Sequence, residues 1–228
     1  MMHEDIIDIN DEPIIITFEG GDFVGKSFMC EYTKEFLSEM FPNKKIVIMR
    51  EPGGTEVGEE IRSIIFNKDL NDYSQILAFT LSRSESYEKI VKPTVEEGGI
   101  VIMDRSLLST FVYQESTARV IECSRPLIKQ PFLLATTKIM ILLDIDEEIV
   151  EKRVRERAEN EINKLDLMNQ NEIRIKYKKA MIAVNKMDNF PLFNTGAILN
   201  MTEDTEENKK IVKQYIIEQI ERMEEGEI

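Results

Sequence analysis

Short runs of Ile, Val and Leu with almost no polar alternation recur along the chain, separated by longer stretches in which apolar residues return every three or four positions. Unbroken apolar runs suit strands covered on both faces, and the longer period suits helices lying over them. The pattern predicts strands at Ile14–Glu19, Lys45–Met49, Ile100–Asp104, Ile139–Asp144 and Ala197–Asn200. It predicts helices at Ser27–Met40, Glu56–Ile65, Tyr73–Val91, Leu127–Leu134, Glu147–Glu159, Asn171–Met187 and Glu206–Glu224. Alternating strand and helix imply an α/β fold with a five-stranded parallel sheet between two helical layers. Pro42, Pro93, Pro126, Pro131 and Pro191 fall near helix ends or in loops, where a missing N–H does little harm. No linker divides the chain, so residues 1–228 read as one domain, with residues 1–12 a polar leader and about 153–170 a small lid.

Composition narrows the function. A total of 29 Lys and Arg against 43 Asp and Glu gives a net charge of −14, contrary to the basic surface a general nucleic-acid binder requires. The two cysteines, Cys30 and Cys123, and the one histidine, His3, exclude a disulfide framework, a His-based triad and a cysteine-rich metal centre. No apolar run is long enough to span a bilayer, and the acidic start lacks the basic region of a secretion signal. A cytoplasmic protein with no membrane or nucleic-acid partner is expected.

The chemistry begins after the first strand, at Gly20-Gly21-Asp22-Phe23-Val24-Gly25-Lys26-Ser27. This is a G-x-x-x-x-G-K-S loop between a strand and a helix, the context in which curled main-chain amides and a helix N-terminus hold phosphates. Lys26 would reach the distal phosphates of ATP or GTP, and Ser27 would ligate the accompanying Mg2+. Asp22 would either brace the loop or hold a substrate hydroxyl. Arg50-Glu51-Pro52-Gly53-Gly54-Thr55 closes the second strand, and an Arg at such a tip projects into the crevice where open α/β sheets bind ligands. Phe79 and Arg83 lie four apart on one helix face. Alone they read as a core ring and a surface cation; facing a nucleotide they would stack a base and donate to its carbonyl. Asp104-Arg105 ends the third strand, followed by Ser109, Tyr113 and Gln114; Asp104 suits a magnesium position and Arg105 points at phosphate.

These segments together resemble the thymidylate kinase family, phosphate-loop enzymes that pass the γ-phosphate of ATP to dTMP. The R-E-P-G-G-T element and D-R-x-x-x-S-T-x-x-Y-Q discriminate far better than the loop itself, and the likeness runs from residue 14 to about 222. The resemblance implies that Phe79 stacks on thymine, Arg83 bonds its O4, Arg50 and Arg105 clamp the dTMP phosphate, and Gln114 meets the base edge. Tyr113 would lie under the deoxyribose, with Glu51 and Ser109 in the same substrate site and Asp22 near the sugar 3′-OH. It further implies a homodimer. Family members keep a catalytic Arg either inside the loop, where this chain has Phe23, or in a lid, where it offers Arg153, Arg155 and Arg157. Arg153 and Arg157 share a helix face and are the expected catalytic pair, with Lys164 a helper. Departures such as Phe28 after Ser27 and Ser106 after Arg105 bear on base selection rather than on phosphate chemistry. Two alternatives stay open: a kinase for another deoxynucleoside monophosphate such as dUMP or dGMP, and a non-enzymatic nucleotide switch.

Overall fold

The computed structural model describes residues 12–114, 117–128, 137–157, 170–184 and 192–227. Five parallel strands, β1 (Ile14–Glu19), β2 (Ile46–Arg50), β3 (Ile100–Asp104), β4 (Thr137–Ile145) and β5 (Thr195–Met201), form one sheet in the order β2-β3-β1-β4-β5. Helices α1 (Lys26–Met40), α2 (Glu56–Asn67), α3 (Asp72–Ser86), α4 (Lys92–Glu96), α5 (Leu107–Tyr113), α6 (Thr117–Ile128), α7 (Glu147–Arg157), α8 (Gln170–Val184) and α9 (Thr205–Glu224) connect the strands.

The pleat of β1 divides the core. Ile14, Ile16 and Phe18 pack against α1 and α9, with Phe36, Leu37, Val212 and Ile216. Ile15 points the other way, to Met49, Val101 and Met103. A third cluster joins Met140 and Leu142 of β4 to Leu108 of α5 and Tyr177 of α8. Side chains alternate across a strand, so the same run must be apolar on both faces to be covered twice. Local chemistry starts the helices: Thr55 accepts from the Gly58 N–H, Asn71 from Ser74 and Asp204 from Glu206.

All five expected strands are present, β1 and β3 with the expected bounds, and the three-layer α/β architecture is as expected. The helix expected over Tyr73–Val91 instead changes period after Ser86, at a π-helical turn, Tyr87–Val91. Helices α5 and α6 were not among the expected helices; α5 is only seven residues long and starts just after the β3 end, capped by Ser106, which accepts from the Leu108 N–H. The expected helix Leu127–Leu134 lies outside the described residues beyond position 128, as do residues 1–11 of the leader.

Strand register sets the site. Phe18 and Arg50 both pair with Asp104, so the carboxyl ends of β1, β2 and β3 finish level. The Glu51 N–H donates to the Asp104 carbonyl and the Arg105 N–H to that of Phe18, tying the three exits together. Three segments remote in sequence therefore open into one crevice.

Candidate active site

The loop after β1 bends as its residue types require. Gly20, Phe23 and Gly25 have φ values of 141°, 63° and 98°. A Cβ on Gly20 would sit 2.8 Å from the Leu143 carbonyl oxygen, so no larger residue fits. Lys26 is buried with Nζ 2.5 Å from the Gly21 carbonyl oxygen. Burial, reinforced by the Arg105 charge, lowers its pKa to about 8. Arriving phosphates would restore the full charge by replacing lost hydration with anions. Ser27 Oγ lies 2.5 Å from Asp104 Oδ2. Among the described residues no three His, Cys, Asp or Glu side chains gather around a metal position. Two hard oxygens beside a phosphate cradle fit Mg2+, which takes few protein ligands and completes its shell with phosphate and water.

Arg105 lies at the centre of the crevice. Its guanidinium pairs with Asp22 and donates to the Gly20 carbonyl at 3.1 Å, to Ser109 Oγ at 3.3 Å and to the Tyr177 hydroxyl at 2.7 Å. Asp22 thus braces Arg105 against the phosphate loop. Fully buried Glu19 supports this arrangement from below, accepting from the Ser106 N–H and hydroxyl at 2.7 Å each and from the Ser109 hydroxyl at 2.7 Å. Burial raises the Glu19 pKa, and those donors oppose the rise.

Beside Arg105 opens a cavity of about 330 Å³, walled by Glu51, Phe79, Arg83, Tyr113 and Gln114 among others, with Asp22 and Arg105 at the loop end. That volume is in the range of small-ligand sites. Arg83 is not the surface cation its helix position alone suggests: it is 1% exposed and ion-paired with Glu51 Oε2 at 2.7 Å. Burial opposes its charge, but Glu51 outweighs that and holds the guanidinium protonated. The Nη2 that makes this ion pair also donates to Thr110 Oγ1 at 3.0 Å, while Nε donates to Glu51 Oε2 at 2.8 Å. Four buried polar atoms of the walls have no protein partner: Arg83 Nη1, Glu51 Oε1, the Tyr113 hydroxyl and Gln114 Oε1. Leaving such groups unpaired costs about 1–3 kcal/mol each, a cost a polar ligand would remove.

Arg50 departs from expectation. Its guanidinium bonds Glu59 Oε2 at 2.8 Å, is half exposed, and does not wall the cavity. Glu59 also accepts from the Gly54 N–H, and at Gly53 a Cβ would lie 2.3 Å from Glu59 Oε1, so the glycine turn makes room for this carboxylate. Arg62, which sequence reasoning missed, does wall the cavity, anchored to the Pro52 carbonyl at 3.0 Å and lying 4.8 Å from the Phe66 ring centroid. Only its position one turn beyond Glu59 could have pointed to it. Sequence reasoning also missed Tyr177 and Arg174. Arg174 grips Asp144 at 2.5 and 2.8 Å. On α7, Arg153 Nη1 donates to the Phe23 carbonyl at 2.9 Å, which brings it to the phosphate loop. Arg155 turns back to the Glu151 carbonyl at 3.3 Å on the exposed side. The Arg157 side chain and Lys164 lie outside the described residues.

A parallel sheet with a phosphate loop after β1, a Ser–Asp oxygen pair and a guanidinium-lined cavity facing it define a phosphate-loop nucleotide-binding protein. The family model for thymidylate kinase matches residues 18–188. The thymidylate kinase of Mesoplasma florum is 31% identical over 212 residues, covering 91% of this chain and 97% of its own length. That of Mycoplasma capricolum is 35% identical over 161 residues, covering 67% and 73% respectively. The solved structure of thymidylate kinase from Ehrlichia chaffeensis shares the fold, with a TM-score of 0.66 at 23% identity over 92% of this chain and 99% of that one. This chain belongs to the thymidylate kinase family.

Proposed function

We propose that this protein transfers the γ-phosphate of ATP to dTMP, giving dTDP and ADP. The observation that carries the reading is the cavity in which Arg83 Nη1, a donor, and Gln114 Oε1, an acceptor, are both buried and unpartnered beside Phe79, with Arg105 at the end facing the phosphate loop. A thymine ring offers the complements, an O4 acceptor next to an N3–H donor, and a flat face for Phe79. In that pose Tyr113 and Ser109 flank the sugar and Asp22 lies near the 3′-OH.

On the donor side, the main chain of Gly20–Gly25 wraps the phosphates while Lys26 neutralises them. Ser27 and Asp104 would hold Mg2+, which would supply charge neutralisation to the nucleotide phosphates. Arg105 would exchange Asp22 for the acceptor phosphate, and Arg50 would leave Glu59 for the same anion. Arg153, which donates to the Phe23 carbonyl, is assigned to the transferring group in this reading, with Arg157, whose side chain lies outside the described residues, as its expected partner from the lid. Catalysis in this reading is positioning and charge stabilisation; most of the expected lid, residues 158–169, lies outside the described residues.

The same keto edge is present in dUMP and dGMP, so a coupled ADP-release assay over a monophosphate panel is the decisive test. Best turnover with dTMP supports the reading. Best turnover with dUMP or dGMP transfers the assignment to that substrate. ATP turnover indifferent to every monophosphate would instead favour a nucleotide switch, which leaves Phe79 and Arg83 without a task.

The chain folds as one domain and forms a homodimer in this reading. Val57 and Ile64 of α2, and Tyr73, Leu77 and Leu81 of α3, are exposed in stripes along two helices packed side by side. Apolar stripes of that kind mark protein contacts. Sedimentation of the wild type and of Leu81→Glu tests it, a dimer becoming a monomer. No helix among the described residues is long and apolar enough to cross a membrane. Free Cys30 and Cys123 suit a reducing, cytoplasmic setting.

A further inference from the structure

Gln114 is an amide, and an amide can present either its oxygen or its nitrogen to a ligand. Its orientation therefore decides which bases the cavity accepts, and that orientation is fixed by a neighbour in the cavity wall, Gln75. Gln75, on the first turns of α3, donates from Nε2 to the Leu70 carbonyl at 3.0 Å. A carbonyl only accepts, so the Gln75 nitrogen must face Leu70 and its Oε1 must face the other way. That oxygen meets Gln114, which turns Nε2 toward it at a long 3.4 Å. The consequence is at the far end of the relay: Gln114 Oε1 is left buried and unpartnered, on a residue 6% exposed and lining the cavity.

We infer that Gln75 is a positioning residue that sets the hydrogen-bond polarity of the base site. By holding Gln114 with its oxygen unpartnered in the same cavity as Arg83 Nη1, it makes the site complementary to keto bases, which pair an acceptor with an adjacent N–H, and adverse to cytosine and adenine, which reverse that order. The inference rests on the proposal that a nucleoside monophosphate base occupies this cavity.

The test is the ratio of kcat/KM for dTMP to that for dCMP, with KM for ATP as a check on the rest of the site. Gln75→Lys offers donors to both the Leu70 carbonyl and Gln114, which forces Gln114 to turn its nitrogen inward. The ratio is expected to fall about tenfold, the usual weight of one mismatched buried hydrogen bond, with KM for ATP within about twofold. Gln75→Glu keeps an acceptor facing Gln114, so the ratio should hold within about twofold. Because the ratio cancels the new charge's effect on the shared phosphate, a merely structural role for Gln75 would not move it, and a direct electrostatic action on the base would move it in opposite directions in the two variants. An unchanged ratio in Gln75→Lys, or a collapsed one in Gln75→Glu, overturns the relay. A wild type that does not phosphorylate dTMP overturns the reading beneath it instead.

Discussion

The phosphate loop and the base cavity face each other across one crevice, yet they are made differently. The loop is eight consecutive residues, Gly20–Ser27, and its ligand-holding groups are chiefly main-chain amides. Its geometry follows from glycines that permit φ values of 141° and 98° and from close contact with Leu143. The cavity is built from side chains of at least four segments: Glu51 after β2, Arg62 on α2, Phe79 and Arg83 on α3, and Tyr113 and Gln114 at the end of α5. A main-chain cradle tolerates many side-chain changes but few backbone ones. A side-chain cavity depends on each partner and on the packing that aims it.

Removing the cation should have the largest effect. Lys26→Ala is expected to lower turnover roughly a hundred- to a thousandfold, the usual loss for one stabilising donor, while equilibrium dialysis still finds dTMP bound. Loss of dTMP binding as well would mean that the two halves are not separable. On the other side, Glu51→Ala leaves Arg83 charged and buried without its partner. A stability loss of about 3–5 kcal/mol is expected in urea unfolding, together with loss of dTMP affinity; an unchanged midpoint would contradict the locked pair.

The pH response distinguishes the halves further. Lys26 in the free protein loses its proton near pH 8, below the ordinary lysine value, whereas phosphate binding favours the charged form. KM for ATP should therefore be flat below that value and rise above it, by up to about tenfold at pH 9, because binding must then include proton uptake. KM for dTMP should rise less, since Arg83 stays protonated throughout. Parallel rises would remove the distinction. Phe79→Ala should raise KM for dTMP by about tenfold, the weight of one stacked base, and leave KM for ATP alone.

The smallest effect is expected at Glu59. In the free protein Glu59 competes with an incoming phosphate for Arg50, but the pair is about half exposed and so worth at most about 1 kcal/mol. Glu59→Gln should lower KM for dTMP by no more than about fivefold. A rise would show that Glu59 steers Arg50 toward substrate.

Legibility in the sequence follows the same division. Strand positions were readable because doubly covered strands have no polar face to interrupt them, and the loop was readable because its glycines, Lys26 and Ser27 are contiguous. Phe79 and Arg83 could be paired by helical spacing, but not the burial of Arg83, which depends on Glu51, 32 residues away. Arg50 was read as a crevice residue from its strand-tip position, and the structure places it against Glu59 because that carboxylate, one turn into α2, is the nearer anion. Tyr177 and Arg174 left no local signal, since each acquires its role only when a helix distant in sequence packs over the strand ends; Arg62 had only its spacing from Glu59.

The chain by itself determined that a parallel sheet forms, that a phosphate cradle follows its first strand, and which residue types surround a second ligand. Those properties are local: they follow from periodicity, backbone freedom and side-chain chemistry over a few consecutive residues. Only the tertiary structure decided which charges pair, which polar atoms are left buried without a partner, and hence what the cavity can recognise. Pairing and desolvation are set by distance in space, and register and packing bring Asp104, Arg105 and Arg83 to the positions where those distances are short.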